Sequence, residues 1–524
     1  MKKISVLVTS DIHGYVMPTD FSSKSVLPMG LGKLMTIIEE ERKHSAVLLL
    51  DNGDFIQGSP MTYYEQKVEP HGHNQMIKVA NVMQYDAAIF GNHEFNYGLH
   101  TVKTIVEQSQ FPWLAANIKD EKGHYFTQPS MIKEIEGVKV AVVGITTQFV
   151  PYWEEPAHIA GLIFEDAFTS AQQEIANLRE KFAIDVMIVA YHGGFEADVQ
   201  TGARLEESRE NIGYQLCQEL EGVDVVITGH QHRELALHLF GKAVVQPGTK
   251  GICLGKVELL FNDEGVLQST SPSLIYLDET IPLNVEVQNI ITPLYEKTEK
   301  WLDQRIGKIT GDLVIHDTFE ARLKGHSYVE LVNRVQMEVT GASISCASIF
   351  NDTCAGFQND VAMRDIVTNY IYPNTLKVLS IEGRHIVAAL EQSATYFTME
   401  NGKPAISEAF KYPKEQPYNY DLWSGIDYTI DLTQPAGQRV VSVIFQGQPL
   451  QLSQHYHVVM NSYRATGAGN FDYFKTCPVV KDIQTDMTEL LADYFTKHGT
   501  VEAKQMTNMH LIYPDSAEDS FPSR

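Results

Sequence analysis

The sequence predicts an α/β layered domain followed by a second domain of mixed α and β structure. Up to about residue 280, short β-rich runs alternate with longer helical stretches. The runs between Ile4 and Thr228 are nearly all apolar, which is typical of strands that are covered on both faces. At 524 residues, the chain is also too long for one ordinary core, so two or three domains are expected.

Nine runs in the first part of the chain are predicted as strands. In chain order they are Ile4–Thr9, Ala46–Leu50, Ala87–Phe90, Leu114–Ala116, Val138–Ile145, Asp185–Ala190, Asp224–Thr228, Ala243–Gln246 and Lys256–Phe261. Polar residues of metal-ligand type follow five of these runs. Because ligand-binding groups collect beyond the carboxyl ends of strands in such domains, these residues are expected to meet in one place.

A change to helical spacing marks the next segment, which we predict to be a linker helix at 285–306. Pro293 either starts or kinks this helix. The second half then opens with a capping box, Ser327-x-x-Glu330, and a helix that stops at Gly341. Further strands are predicted at Leu376–Ile381, Tyr428–Leu432, Val440–Phe445 and Tyr456–Met460. The predicted domains are therefore 1–284 and 307–524, on either side of the linker.

Composition restricts the classes of partner. With 44% hydrophobic and 20% charged residues, the chain has the composition of a soluble globular protein. Its formal net charge of −25 repels nucleic acids and anionic membranes, so neither a polymeric nucleic acid nor a membrane is an expected partner. A small anionic substrate would need local positive charge, which metal ions would supply. The oligomeric state is left open by the sequence.

The cysteines and the termini concern the cellular compartment. The five cysteines are scattered without a CxxC pair, which favours free thiols in a reducing compartment over a disulfide framework or a thiolate zinc site. The sequence contains no recognisable signal peptide or membrane anchor, and no run approaches the ~18 apolar residues of a membrane span. A cytoplasmic location is therefore expected.

Histidine, carboxylate and amide side chains after the predicted strands form the strongest functional signal. They occur as Asp-x-His, Gly-Asp, Gly-Asn-His, a single His and Gly-His-x-His, in that order. The residues are Asp11, His13, Asp54, Asn92, His93, His192, His230 and His232. One such residue alone is ordinarily a turn or capping residue, and the histidines at 71, 73, 158 and 238 are interpreted in that way. The whole set predicts a site for two divalent metals and phosphoester hydrolysis.

The types of these side chains suit a dinuclear site. Two metals about 3.5–4 Å apart need a bridging ligand, for which a carboxylate is suited, and Asp54 is the candidate. Asp11 and His13 are expected to reach one ion because residues i and i+2 project together from an extended segment. Nitrogen and oxygen ligands suit Mn²⁺, Zn²⁺, Fe or Co²⁺ and do not distinguish among them.

The order of these motifs resembles that of the calcineurin-like metallophosphoesterases, and the two-domain length resembles their 5′-nucleotidase branch. Further segments are similar to the bacterial 2′,3′-cyclic-nucleotide 2′-phosphodiesterase/3′-nucleotidases, namely 51–60, 95–99, 372–376 and 461–471. The resemblance implies an N-terminal four-layer αββα domain that holds two metals. It also implies a C-terminal α+β domain that binds the nucleotide.

The resemblance further implies roles for individual residues. One metal would be held by Asp11, His13, Asp54 and His232, and the other by Asp54, Asn92, His192 and His230. The residue matching His93 would be catalytic, stabilising charge that develops on the phosphoryl group. The 5′-nucleotidases place an Asp three residues after that His, where this chain has Asn96. An Asn can orient the imidazole, but it does not favour the imidazolium as a carboxylate does.

In this family the C-terminal domain clamps the base between two aromatic rings, which would match Tyr420 and Tyr463. Arg464 adjoins this motif, and the Gly467-Ala-Gly469 loop would let the backbone approach the ligand closely. The Gly-Gly-x-Arg phosphate site of the 5′-nucleotidases has no counterpart in 345–351, where an arginine is absent. Arg364 is an alternative whose direction the sequence does not fix.

These observations favour a dinuclear-metal hydrolase of nucleotide phosphoesters, specifically a 2′,3′-cyclic-nucleotide 2′-phosphodiesterase with 3′-nucleotidase activity. Two alternatives remain open. One is a 5′-nucleotidase or UDP-sugar hydrolase, and the other is a catalytically weak protein that binds nucleosides.

Overall fold

The computed structural model describes residues 2–70, 72–205 and 208–514, which fall into two units, Met1–Glu299 and Lys300–Arg524. Within these described ranges, none of the helices has the length and apolar character that a membrane crossing requires. All five cysteines are unpaired, as predicted, and four of them are buried.

The first unit is built around two six-stranded mixed sheets. One has the strand order β14-β13-β1-β2-β3-β4 and the other β11-β12-β10-β9-β7-β6. The strands β1 to β4 are mutually parallel, as are β7, β9, β10 and β12, whereas the remaining strands pair antiparallel. The strands are β1 Lys2–Thr9, β2 Ala46–Asp51, β3 Ala87–Ile89, β4 Trp113–Leu114, β5 Ile118–Asp120, β6 Ser130–Ile135, β7 Val138–Thr146, β8 Leu162–Phe164, β9 Val186–His192, β10 Val225–Ile227, β11 Glu234–Leu239, β12 Lys242–Pro247, β13 Cys253–Phe261 and β14 Leu267–Tyr276.

Helices cover the outer faces of these sheets. They are α1 Leu31–His44, α2 Pro60–Tyr63, α3 Gln75–Met83, α4 Gly98–Gln108, α5 Val150–Trp153, α6 Ala167–Lys181 and α7 Gly213–Glu219, with a π-helical turn at Tyr64–Val68 and 3₁₀ turns at His93–Phe95 and Pro156–Ile159. Helix α8, Val285–Leu302, contains Pro293 in its interior and includes the boundary between the two units. It ends before residue 306, where the predicted linker helix ended.

The alternation of side chains along β7 shows how the layers pack. Val140 and Val142 face a buried cluster that both sheets share, in which Ile4 is a member from the first sheet. Ala141 and Val143 point to the opposite face and pack with residues of α6 and α7. On the other side of the unit, α1 contacts β2. These layers form the αββα arrangement, which confirms the predicted fold class.

The second unit has mixed α and β structure around a five-stranded sheet of order β23-β17-β27-β20-β28, with smaller sheets beside it. Its strands are β15 Arg305–Thr310, β16 Leu313–Val314, β17 Ile344–Ser348, β18 Gly356–Phe357, β19 Asp360–Ala362, β20 Leu376–Glu382, β21 Phe397–Glu400, β22 Lys403–Ile406, β23 Asp421–Ser424, β24 Asp427–Asp431, β25 Val440–Phe445, β26 Gln448–Pro449, β27 His455–Asn461, β28 Val479–Ile483, β29 Thr500–Glu502 and β30 Met509–Ile512. Its helices are α9 Thr318–Lys324, α10 Ser327–Thr340, α11 Met363–Asn369, α12 Gly383–Ala394, α13 Ser462–Ala465 and α14 Met487–His498, and 3₁₀ turns lie at Glu408–Phe410, Pro417–Asn419 and Asp472–Thr476.

The start of α10 differs from the predicted capping box. The N-cap residue is His326, whose Nδ1 accepts a hydrogen bond from the Tyr328 N–H at 3.1 Å. Ser327 is instead the first helical residue, and its hydroxyl donates to Gln505 Oε1 at 3.2 Å. Because that hydroxyl is used in a long-range contact, it does not cap its own helix. The helix ends at Gly341, as predicted, in a left-handed conformation with φ of 76°.

Candidate active site

Loops at the carboxyl ends of β1, β2, β3, β9 and β10 carry the residues predicted as metal ligands. The first three strands belong to one sheet and the last two to the other, so the packing of the sheets brings their loops together. Five of the predicted ligands have a positive φ between 50° and 65° although none is glycine: Asp11, His13, Asp54, His230 and His232. Such conformations cost on the order of 1–3 kcal/mol each and concentrate at functional sites.

These backbone angles contradict the prediction that Asp11 and His13 lie on an extended segment. The chain is not extended there, because both residues are left-handed, with φ of 53° and 50°. Their side chains converge on one position because the loop turns, and not because residues i and i+2 share a strand face. The same holds for His230 and His232, at 65° and 57°.

The first group of potential metal-binding atoms consists of Asp11, His13 and His232, with one donor atom from each residue within 4.8 Å of the others. His232 Nε2 lies 3.1 Å from His13 Nε2 and 3.5 Å from Asp11 Oδ1. The other ring nitrogen of His13, Nδ1, is 2.9 Å from the carbonyl oxygen of Gln57, to which it donates. That bond puts the proton of the neutral ring on Nδ1, so Nε2 carries the lone pair that a metal ligand needs.

The second group consists of Asp54, His192 and His230. His192 Nε2 is 3.2 Å from Asp54 Oδ2 and 3.3 Å from Asn92 Oδ1, and His230 Nδ1 is 2.9 Å from the same Asn92 oxygen. His192 Nδ1 donates to the Asn52 carbonyl at 2.7 Å, and His230 Nε2 donates to Glu210 Oε1 at 3.0 Å. Each ring therefore turns its other nitrogen toward Asn92.

Asp54, a member of the second group, also faces the first group. Its Oδ2 is 3.2 Å from His192 Nε2 and 3.9 Å from His13 Nε2, whereas its Oδ1 accepts the His93 backbone N–H at 2.8 Å. One carboxylate thus faces both clusters, as a bridging ligand must. The donors are imidazole nitrogens and carboxylate or amide oxygens, a set that fits two divalent cations.

Burial determines the electrostatics of this site. Asp11, Asp54 and His192 are each at most 1% exposed. Burial alone would raise the pKa of Asp54, but the attraction of His192 and His93 holds this pKa well below the usual range. Burial would likewise lower the pKa of His192, but the charge of Asp54 raises it to about 10. Because buried carboxylates need compensating positive charge, the site is suited to cations.

Glu94 is a residue whose role the sequence did not reveal. Its buried carboxylate accepts hydrogen bonds from four backbone N–H groups, those of Asp54, Phe55, Ile56 and Gly91, at 2.6–3.3 Å. These bonds hold the loop after β2 against the loop after β3. In the sequence, the position of Glu94 directly after Asn92 and His93 is the feature that could have indicated its role. No sequence feature indicated the roles of Asn52 and Glu210.

His93 and Asn96 form the pair that was predicted to be catalytic. Asn96 Oδ1 is 2.7 Å from His93 Nδ1, and the ring centroids of His93 and His13 are 5.3 Å apart. His93 therefore borders the first metal-binding group without belonging to either group. Asn96 in turn donates from Nδ2 to Glu154 Oε2 at 2.7 Å, and Glu154 Oε1 lies 2.8 Å from His158 Nδ1. His71 lies outside the described residues.

In the second unit, Tyr420 is a core residue, which corrects the expectation that it stacks on a base. It is 2% exposed, stacks on Tyr396 at 5.1 Å and meets Phe397 edge-on at 5.1 Å. A ring covered in this way offers no face to a ligand. Tyr463 is partly buried, and its ring centroid lies 6.1 Å from that of Tyr418, at an interplanar angle of 82°.

Arg464 also points into the core. Its Nε is 2.7 Å from Asp421 Oδ2, one of its nitrogens donates to the Tyr418 carbonyl at 2.9 Å, and its guanidinium lies 3.9 Å from the centroid of the Phe471 ring. This arginine joins the segment around Tyr418 to the loop after α13, and so it shapes these loops from beneath.

The glycines of that loop serve local packing, and Gly469 packs against Arg464. Gly467 and Gly469 have φ of 91° and 77°, a conformation that other residues rarely adopt. A Cβ at Gly469 would lie 2.6 Å from an Arg464 nitrogen and 2.1 Å from Asn419 Oδ1. The need for glycine there comes from packing against Arg464, which differs from the expected approach to a ligand.

Two arginines are relevant to the missing Gly-Gly-x-Arg motif. Arg364 is paired with Asp303, with Nη2 2.8 Å from Oδ1. Arg322 of α9 reaches the 349–352 segment, where it pairs with Asp352 at 2.6 Å and donates to the Ile349 carbonyl at 3.2 Å. Its side chain is fully buried, so it supports this segment from within.

Comparison with known proteins agrees with this geometry. Residues 4–234 match the family model of the calcineurin-like phosphoesterases, and residues 305–476 match that of the 5′-nucleotidase C-terminal domain. A Staphylococcus aureus crystal structure, described as a candidate 5′-nucleotidase in complex with α-ketoglutarate, is 37% identical with a TM-score of 0.92. The match covers 97% of this chain and 100% of that chain.

Curated relatives are more distant in sequence. The chain is 26% identical to the trifunctional nucleotide phosphoesterase protein YfkN of Bacillus subtilis, with 99% of this chain matched but only 40% of that longer protein. It is 27% identical to the 2′,3′-cyclic-nucleotide 2′-phosphodiesterase/3′-nucleotidase of Haemophilus influenzae, over 99% of this chain and 89% of that protein.

Proposed function

Because the chain belongs to the calcineurin-like phosphoesterases that carry a 5′-nucleotidase C-terminal domain, a family of phosphoester hydrolases, we propose that it hydrolyses nucleotide phosphoesters at two divalent metal ions. The most suitable substrates are 2′,3′-cyclic nucleotides, cleaved by a 2′-phosphodiesterase activity, with 3′-nucleotidase activity on the product. The metals are drawn from Mn²⁺, Zn²⁺, Fe and Co²⁺, which nitrogen and oxygen ligands accept.

One observation carries this proposal: the Asp54 carboxylate belongs to one group of ligand atoms and faces the other. Oδ2 of Asp54 faces His192 at 3.2 Å and His13 at 3.9 Å. A carboxylate in that position supports a dinuclear site over a single metal. The left-handed loops and the buried charges around it support a function that requires cations.

The chain itself positions the reacting groups. When bound, two divalent ions lower the pKa of an attacking water and neutralise charge on the phosphoryl oxygens. His93 borders the ligand groups, where its ring in the doubly protonated form can donate from Nε2 to the phosphoryl group as negative charge develops there, while Nδ1–H stays bonded to Asn96. Asn96 orients that ring through the hydrogen bond between Oδ1 and Nδ1.

Two features favour the cyclic-nucleotide branch over the 5′-nucleotidase branch. Asn96 stands where 5′-nucleotidases place an Asp, and the 345–351 segment has no arginine for a terminal phosphate. The Haemophilus phosphodiesterase/3′-nucleotidase, 27% identical over 99% of this chain, is a relative in that branch. For the nucleoside, we propose Tyr463, with Tyr418 beside it, as the stacking surface.

A substrate panel tests this proposal. With added Mn²⁺, turnover would be measured on 2′,3′-cAMP, 3′-AMP, 5′-AMP and a UDP-sugar, with the Asp54→Asn protein purified in parallel to control for contaminating phosphatases. We expect 2′,3′-cAMP and 3′-AMP to give the highest kcat/KM. Preference for 5′-AMP or the UDP-sugar would select the 5′-nucleotidase alternative. Bound metal without turnover on any substrate would select the nucleoside-binding alternative.

A further inference from the structure

A chain of hydrogen bonds leads from His93 away from the metal-binding groups. Asn96 Oδ1 is 2.7 Å from His93 Nδ1, and Asn96 Nδ2 donates to Glu154 Oε2 at 2.7 Å. Glu154 is 7% exposed and lies 58 residues from Asn96 in sequence. The hydrogen bond from Asn96 to Glu154 therefore joins two segments that are distant in the chain.

The other oxygen of Glu154 is fixed as well. Its Oε1 accepts the Glu155 backbone N–H at 2.9 Å and lies 2.8 Å from His158 Nδ1. With Oε1 held in this way, only Oε2 is directed at Asn96. A carboxylate oxygen accepts hydrogen bonds, so it selects the amide NH₂ group of Asn96 as its partner.

The orientation of the Asn96 amide determines the donor and the acceptor in each hydrogen bond from Glu154 to His93. If the NH₂ of Asn96 faces Glu154, then its Oδ1 faces His93, and His93 must donate from Nδ1. In the neutral ring the proton then resides on Nδ1, and Nε2 is the nitrogen without a proton. An Asn without such a partner could turn by 180°, which would present NH₂ to Nδ1 and move the ring proton to Nε2.

We propose that Glu154 is a positioning residue that fixes the orientation of Asn96 and, through it, the tautomer of His93. The inference rests on the proposed function, since it concerns the residue that would stabilise the phosphoryl group. A carboxylate would thus act on the histidine through an intervening amide.

The segment that carries Glu154 also contacts a metal-binding group. Trp153, the last residue of α5, stacks on the His230 ring, with centroids 5.2 Å apart and planes 17° apart. The adjacent residues Trp153 and Glu154 therefore support His230 and Asn96 respectively. A single short segment connects the orientation of His93 to that of a predicted metal ligand.

An exchange of functional groups between positions 96 and 154 tests the proposal. In Glu154→Gln, Oε1 would keep its donors, so the new amide nitrogen would face the NH₂ of Asn96 and turn Asn96 over. We expect kcat to fall about 10–100-fold, with KM and metal content unchanged. Asn96→Asp would oppose two carboxylates and give a loss of similar size.

The double variant Asn96→Asp/Glu154→Gln should recover kcat to within a few-fold of the wild type. Its Asp would accept from His93 Nδ1 on one side and from the Gln amide on the other. Glu180→Gln, the same change at an exposed position of α6, serves as the matched control and should leave kcat unchanged. A double variant whose loss equals the product of the single losses would overturn the proposal.

A second measurement separates this inference from the proposed function. Ring ¹⁵N chemical shifts of the zinc-loaded, ¹⁵N-histidine-labelled protein, with His93 assigned by His93→Asn, should show the Nδ1–H tautomer in the wild type. The signal should move toward the Nε2–H tautomer in Glu154→Gln and return in the double variant. An Nε2–H tautomer in the wild type would disprove the inference, whereas the same NMR result without any phosphoesterase activity would disprove only the proposed function.

Discussion

The metal-binding loops of the first unit and the aromatic loops of the second unit were both predicted as binding sites from short sequence motifs, but the side chains of the two sets of loops are placed differently. Asp11, Asp54 and the histidines meet at strand ends, with their donor atoms directed at shared positions. Tyr420 and Arg464 instead point into a core. Burying a charged side chain without a partner is energetically costly, so a buried cluster of residues that can bind metals indicates a binding function. A tyrosine ring packs equally well in a hydrophobic core, so a tyrosine in a motif does not indicate such a function by itself.

The two regions also differ in how the backbone is held. In the first, non-glycine residues such as Asp54, with φ of 56°, adopt left-handed conformations directly at the ligands. In the second, glycines at 467 and 469 provide the positive φ, and the guanidinium of Arg464 fills the space beneath Gly469. One non-glycine residue of the second loop, Asn470, is also left-handed, with φ of 70°, so the difference is that the left-handed residues are themselves predicted ligands only in the first region.

The largest expected effect is that of Asp54→Asn. A neutral amide bridges two cations poorly, so hydrolysis should be nearly abolished and both metals should bind more weakly. Metal content by plasma mass spectrometry and kcat on a phosphodiester would measure this, with Asp120→Asn at the partly exposed end of β5 as the matched control. If the variant retained two tightly bound metals and near-normal turnover, Asp54 would not be a bridging ligand, and the first region would no longer differ from the second as a binding site.

Arg464→Met should affect stability in place of catalysis. Burial raises the pKa of Asp421 although Arg464 opposes this, and removing the arginine leaves that carboxyl buried without its partner. We expect the free energy of unfolding to fall by about 3–5 kcal/mol in urea denaturation. The double variant with Asp421→Asn should recover part of the loss. Unchanged stability with a raised KM would show that Arg464 binds the nucleotide after all.

Glu65 offers a buried carboxyl group to compare with Asp421. Burial raises its pKa from 4.5 to about 7, and its Oε2 has no hydrogen-bond partner among the described residues. The native state therefore keeps a proton that the unfolded chain releases, so its contribution to stability is complete below pH 4.5 and is lost as the pH rises through about 7.

The loss should reach on the order of 3 kcal/mol, at about 1.4 kcal/mol per pKa unit. Glu65→Gln, which resembles the protonated form, should flatten the dependence of the free energy of unfolding on pH between about 4.5 and 7. Exposed Glu107→Gln is the control. An unchanged slope in Glu65→Gln would mean that this carboxyl is ionised in the folded protein.

The smallest expected effect is that of Tyr463→Ala. If this ring stacks on the base, KM for nucleotides should rise by the equivalent of roughly 1–3 kcal/mol. Hydrolysis of bis-p-nitrophenyl phosphate, which has no base, should change little because stacking is uniform binding. Tyr420→Leu should instead lower stability without a change in either KM. If Tyr420→Leu raised KM for nucleotides alone, its ring would have to leave the core during binding.

Local sequence features predicted much of the fold and much of the metal site. Apolar runs such as Ile4–Thr9 and Val138–Ile145 coincide with β1 and β7, because a buried strand needs apolar side chains on both faces. The prediction of a capping box at Ser327 was wrong, because the Ser327 hydroxyl donates a hydrogen bond to a distant residue, Gln505. The inward position of Tyr420 was missed for the same reason, since Tyr396 and Phe397 cover it.

The sequence by itself determined which side chains follow the strands and in what order, since strand ends and ligand types are local properties. The tertiary structure decided that β1, β2 and β3 lie in one sheet and β9 and β10 in another, so that Asp54 reaches both His13 and His192. It also decided that Glu154 reaches Asn96. These contacts join residues far apart in the chain, and such contacts depend on how layers pack, which no periodicity or spacing encodes.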